Sequence, residues 1–184
     1  IFERGFQITE MEGLSSTWTY SDGFKLKFLN ITNKVAKIIQ YVNTGEVRSG
    51  GPETLLNSGA IGSCVVITAF DSGKKIGAMA HVMLPGNSPL KNQLHTTRYA
   101  ANAIEEMLSQ LKGFEVKLEN IEICLVGGAN VLKRENDHIG KDNLKSVEKL
   151  LQEKQIEIKA KNIGGFERRT VLFDIDKGCI YYTV

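Results

Sequence analysis

Cys64 ends a small-residue segment, Gly59-Ala60-Ile61-Gly62-Ser63, and opens an apolar, β-branched run that continues to Phe70. His81 lies in a second such run, Ile76 to Leu84. A thiol next to an imidazole makes a nucleophile with its own base: the ring takes the proton and the thiolate attacks a carbonyl carbon. Each residue alone has a plainer reading, as a small core hydrophobe or a structural histidine. A hairpin joins the two. Asp71-Ser72-Gly73-Lys74 forms the turn, and pairing Phe70 with Lys75 sets Cys64 directly opposite His81. Opposed side chains in an antiparallel pair have Cβ atoms roughly 4.5–5.5 Å apart, and a slip of one residue would turn one of them to the other face. The glycines ahead of Cys64 let backbone come close to a substrate, and N–H groups at Gly62 and Ser63 suit an oxyanion hole; the plain alternative is a turn entering a strand.

These residues need a scaffold, and the periodicities predict one. Cys64 to Phe70 and Ile76 to Leu84 read as buried strands, broken after Leu84 by Pro85-Gly86-Asn87-Ser88-Pro89. Ala100, Ala103, Ile104, Met107, Leu108 and Leu111 recur at helical spacing within 97–111, with Gly113 at the expected C-terminal stop. Ile121 to Val126 is a further buried strand ending at Gly127-Gly128, and Leu144, Val147, Leu150 and Leu151 mark a helix from Asn143 to Glu153. Strands follow at Ile156 to Ile158, Thr170 to Phe173 and Cys179 to Thr183, the last two joined by a turn at Asp176-Lys177-Gly178. The fold class expected is α/β of the α+β kind: one domain with a layered mixed β-sheet and helices packed on it. Residues 1–40 read differently, with an exposed-strand alternation at Phe24 to Phe28, and are treated as an N-terminal extension to a 41–184 domain.

The 184 residues suffice for a core without disulfide staples. A net charge of +2 gives no argument for nucleic acid or an anionic membrane. No run reaches the roughly 20 apolar residues of a membrane span, and Ile1-Phe2-Glu3-Arg4 lacks a secretory leader pattern. Cys64, Cys124 and Cys179 form no CxxC pair, so reduced thiols and a cytoplasmic location are expected; the match of Asn30-Ile31-Thr32 to a glycosylation sequon then carries no meaning. Cys124 and Cys179 read as core residues, and His95 and His138 as surface residues in polar stretches. None of the three histidines has zinc-ligand spacing, and the thiol chemistry calls for no metal or organic cofactor.

The segment Gly62-Ser63-Cys64-Val65-Val66, followed by Gly77-Ala78-Met79-Ala80-His81-Val82-Met83-Leu84-Pro85-Gly86, resembles the CheD family of chemoreceptor glutamine deamidases. The resemblance continues through Tyr99-Ala100, Gly127-Gly128-Ala129-Asn130, Ile139-Gly140, Asn143 and Gly164-Gly165, from about Val42 to the C-terminus. It implies hydrolysis of glutamine side-chain amides, and in some members of glutamyl methyl esters, on the cytoplasmic domains of methyl-accepting chemotaxis receptors. It also implies a fold similar to that of bacterial deamidating toxins, and a CheC-type phosphatase as a regulatory partner. The family's cysteine and histidine fall on Cys64 and His81, and its threonine, six residues before the cysteine, falls on Ser58, where a hydroxyl is kept and a methyl lost. Gly127 and Gly128, with Gly62 and Ser63, are expected as oxyanion or substrate-binding positions. The chain departs from the family at Ala101, Cys124, Asp142 and Arg168-Arg169, all outside the cysteine–histidine pair. A CheD-like binding module with weak chemistry is the alternative from another functional class.

Overall fold

The computed structural model describes residues 7–10, 37–89 and 96–183. Among these residues, ten strands form two five-stranded sheets, and two α-helices cover the outer face of one of them. The first sheet, ordered β1-β10-β9-β4-β2, comprises β1 Gln7–Glu10, β10 Cys179–Thr183, β9 Arg169–Asp174, β4 Thr54–Ile61 and β2 Ile38–Tyr41. The second, ordered β3-β6-β5-β7-β8, comprises β3 Val47–Gly50, β6 Ile76–Val82, β5 Val65–Asp71, β7 Glu122–Gly127 and β8 Ile158–Ile163. The helices are α1 Ala100–Gly113 and α2 Ile139–Glu153. Where one mixed sheet was expected, there are two, and the α+β class holds. The predicted strand at Phe24 to Phe28, and His95, lie outside the described residues.

Every residue of β5 is buried because the strand is covered on both faces. Val65, Ile67 and Ala69 face the helices with Ile104, Met107, Val147 and Leu151, while Val66 and Phe70 face the other sheet with Leu56, Met79 and Phe173. Two-sided burial explains why the sequence reads here as an unbroken apolar run and not as an alternation. Phe173 is fully buried and meets Phe70 edge-to-face at 5.8 Å. A Cβ on Gly77 would lie 2.6 Å from the Phe173 ring, so the glycine makes room for it. Phe173→Ala is expected to lower unfolding stability by about 3–5 kcal/mol in urea titration; a loss under about 1 kcal/mol would remove Phe173 from the centre of the inter-sheet core.

The hairpin is real, but its register differs from the expected one. Phe70 pairs with Gly77, Val66 with His81 and Val65 with Val82. The Asp71 carboxylate accepts hydrogen bonds from the Gly73 and Lys74 N–H groups, and Lys75 takes a left-handed conformation (φ +54°). Asp71 therefore closes the ladder, Ser72 to Lys75 form the loop, and the pairing moves by two residues. A two-residue shift preserves the faces, so Cys64 and His81 remain on one side of the sheet as diagonal neighbours.

Other differences have local causes. The segment Gly59 to Ser63, read from sequence as a small-residue approach or a turn, is largely strand: β4 runs through Ile61 against β9, with an irregularity between Asn57 and Ala60 where Gly59 has φ +63°. α1 starts at Ala100 behind a short 3-10 turn, Thr96–Arg98, and the left-handed closing residue is Glu115, not Gly113. The Val116 N–H reaches back to the Leu111 carbonyl, and Ile156 does the same to Leu151 after α2. Ile156 thus seals a helix end, and β8 begins two residues later, at Ile158. α2 begins four residues before Asn143, at an Ile139 that is exposed and so gives no core-face signal. Strand β2 crosses the expected boundary at residue 40. Cys124 is buried as expected, whereas Cys179, opposite Asp174 at the start of β10, is only half-buried.

Candidate active site

The chain passes from the first sheet to the second through Gly62-Ser63-Cys64, between the end of β4 and the start of β5. There a cavity of about 400 Å³ opens, lined by Gly62, Ser63, Cys64, Leu132, Ile139 and Arg168 among others. Cys64 is half-buried and reaches this space. A larger hollow of about 580 Å³ lies at the other end of β5, around Asp71, Glu119 and Glu122; neither Cys64 nor His81 lines it.

Backbone bonds hold the cysteine from behind. The Gly128 N–H donates to the Cys64 carbonyl at 2.8 Å and the Ala129 N–H to the Gly62 carbonyl at 2.9 Å. Gly127 (φ +120°) approaches so closely that a Cβ would sit 2.3 Å from the Cys64 carbonyl oxygen. Gly62 and Ser63 line the cavity, while Gly127 and Gly128 stand behind Cys64 and outside the lining. The Gly128 N–H is committed to Cys64, which leaves it no part in an oxyanion hole.

His81 is buried behind Cys64, on the inter-sheet face of β6. Its Nδ1 lies 3.0 Å from the Val42 carbonyl oxygen, which can only accept, so Nδ1 carries the proton. The Nε2 lone pair is left free, and this buried atom has no hydrogen-bond partner among the described residues. The main chain of His81 is also held: its N–H donates to the Glu46 carbonyl and its carbonyl accepts from the Gly45 N–H. Burial lowers the histidine pKa; the Val42 and Ser58 carbonyls and the Glu46 charge oppose this in part. Burial likewise raises the Cys64 thiol, with a smaller opposing effect from its own N–H. At neutral pH the pair therefore rests as thiol and neutral imidazole.

Ser58 is buried beside this pair, but its hydroxyl faces elsewhere: it accepts from the Val171 N–H at 3.0 Å and donates to the Gly59 carbonyl at 2.7 Å. The imidazole is oriented by the Val42 carbonyl instead. No sequence signal could mark Val42 for this role, because it acts through backbone alone. His138 is exposed at the start of α2, between the cavity-lining residues Asp137 and Ile139 and not itself part of the lining.

A family model described as "CheD chemotactic sensory transduction" matches residues 83–183, starting two residues after His81. The chain is 38% identical over 164 residues to the probable chemoreceptor glutamine deamidase CheD of Chlorobium luteolum, covering 89% of this chain and 78% of that protein. The chain belongs to the CheD family. An alignment spanning that much of the chain must include the segment from Cys64 to His81. Similar too are the chemoreceptor glutamine deamidases CheD of Thermotoga maritima, 34% identical over 64% of this chain and 74% of that one, and of Halalkalibacterium halodurans, 35% identical over 67% and 78%. Among the described residues, no helix of this CheD family member is long and apolar enough to cross a membrane.

Proposed function

We propose that this CheD family member hydrolyses the side-chain amides of glutamines on chemoreceptors, with Cys64 as nucleophile and His81 as general base. One observation carries the assignment of the pair: a cavity-lining thiol shares a face with an imidazole whose Nδ1 is tied to the Val42 carbonyl and whose Nε2 is free. His81 Nε2 accepts the Cys64 proton, and the thiolate adds to the amide carbon. The N–H of Cys64, with those of Gly62 and Ser63, faces the oxygen on which charge develops. The imidazolium returns its proton to the departing ammonia, leaving a thioester. Water, deprotonated by the same ring, adds to the thioester and releases glutamate and the thiol. Diagonal neighbours across a ladder lie roughly 7–8 Å apart at Cα, and the thiol–imidazole contact tightens when substrate fills the cavity.

Residues 41–184 carry this activity in the proposal. Ser58 supports the site through its carbonyl, and Leu132, Ile139 and Arg168 meet the polypeptide that presents the glutamine. A cytoplasmic location follows from the substrate, since the receptor segments concerned lie there, and is consistent with three free thiols. The family resemblance adds a CheC-type phosphatase as regulatory partner, testable by co-purification.

The test is ammonia release from receptor cytoplasmic fragments, with mass-spectrometric mapping of glutamine-to-glutamate changes. Conversion at discrete glutamines is expected; absence of conversion on every receptor of the source organism would sink the proposal. The pH profile of kcat/KM has a signed expectation. His81 is held below the ordinary histidine range, so activity persists as pH falls through that range and declines only beneath it. Cys64 is held above the ordinary thiol range, so the alkaline decline starts above that range. A bell whose acid limb lies at or above the ordinary histidine value would contradict a buried neutral base.

A further inference from the structure

We propose that Asn143, on α2, is a positioning residue that sets the distance between Cys64 and His81. The inference rests on the reading of that pair and concerns a residue that touches neither reacting group. Asn143 is fully buried, and its side-chain amide donates to the Ser63 carbonyl at 3.0 Å and to the Met83 carbonyl at 2.9 Å. Ser63 immediately precedes the nucleophile, and Met83 follows the base by two residues.

The two carbonyls lie where the β5–β6 ladder ends. Val65↔Val82 is its last rung, and the next would join Cys64 to Met83. The ladder stops there because the Leu84 N–H, which would otherwise bond the Ser63 carbonyl, is turned to the Arg98 carbonyl. Asn143 takes its place and ties the two strand ends with one planar group, so the splay of the strands beside Cys64 and His81 is set by a side chain from the helix. The helix is seated to do this. A Cβ on Gly140 would lie 2.6 Å from the Gly128 oxygen, and one on Gly128 would lie 2.4 Å from Leu144. Thus α2 presses on the same Gly127-Gly128 strap that holds the Cys64 carbonyl.

The orientation of the amide is forced, since both partners are acceptors and only its NH₂ can face them. Its Oδ1 is consequently buried with no partner among the described residues. A leucine would fill similar space without that penalty, so helix packing alone does not account for an asparagine here.

The test compares wild type, Asn143→Leu, His81→Ala and the double variant as full chains. It reads thermal unfolding, kcat and KM on a receptor fragment, and the rate of Cys64 alkylation by iodoacetamide at neutral pH, mapped by mass spectrometry. In Asn143→Leu, kcat is expected to fall about 100-fold with KM within about twofold, as for a misplacement of reacting groups of roughly 1 Å. Alkylation of Cys64 is expected to slow about tenfold, with no further loss when His81→Ala is added, because coupling to the base is already gone. If Asn143→Leu does not fold, Asn143→Ser, which keeps one hydroxyl donor, is expected to give an intermediate kcat. A folded variant whose kcat and His81-dependent alkylation match wild type overturns the role of Asn143 alone. A wild-type thiol indifferent to His81→Ala overturns the pair itself, and Asn143's role with it.

Discussion

Alanine in place of Cys64 is expected to abolish the conversion of glutamine to glutamate, and alanine in place of His81 to lower it by about 10²–10⁴-fold. The two losses differ in kind. Without sulfur there is no thioester and no alternative route through the site. Without the imidazole the nucleophile survives, but its burial holds the thiol protonated at neutral pH, so only a small thiolate fraction attacks. Cys64→Ser is expected to be as inactive as the alanine variant, because a hydroxyl gives up its proton far less readily than a thiol. The fold should persist in the Cys64 variants, since the side chain is half-buried at a cavity rim. Initial rates of ammonia release, compared with the thermal midpoint of each variant, separate chemistry from folding. Measurable turnover by folded Cys64→Ala would end the nucleophile assignment.

Gly127→Ala is expected to be the most damaging change of a single methyl group. At φ +120° a side chain is strained whatever space is available. Here there is also none: the added Cβ would meet the Cys64 carbonyl oxygen at 2.3 Å and Ile61 Cδ1 at 2.9 Å. The carbonyl belongs to the main chain and is fixed by the Gly128 N–H, so it cannot step aside as a flexible side chain would. The expected cost is about 3 kcal/mol or more, read as a lower urea midpoint, with loss of turnover in whatever protein still folds. A Gly127→Ala protein with wild-type midpoint and wild-type turnover would mean that the strap behind Cys64 is looser than described. Gly86→Ala, at φ +69° with no atom within 4 Å of the added Cβ, isolates the conformational part of the effect and should cost about 1–2 kcal/mol.

Periodicity by itself determined the face relation between Cys64 and His81. Side chains alternate with a period of two along a strand, so the error of two residues in the hairpin register left both on the same side. The unbroken apolar runs likewise announced strands covered on both faces, and the spacing of Ala100, Ile104, Met107 and Leu111 announced the buried stripe of α1. The family resemblance, carried by the segment from Gly62 to Gly86, supplied the reaction class.

Tertiary structure alone decided the rest. Asp71 and a left-handed Lys75 set the turn, and neither residue type dictates that choice. Strand β4 was hidden because its small residues look like a linker until β9 pairs with them. The first sheet places Val42, 39 residues away in sequence, with its carbonyl against His81, and so gives the imidazole its tautomer. It also turns the Ser58 hydroxyl to Val171. Asn143 reaches Ser63 and Met83 across separations of 80 and 60 residues. Local pattern records how often a side chain turns inward, because burial selects residue type at each position. It carries no record of which distant carbonyl a buried donor will find, because every residue offers the same carbonyl and only the packed fold brings one within 3 Å.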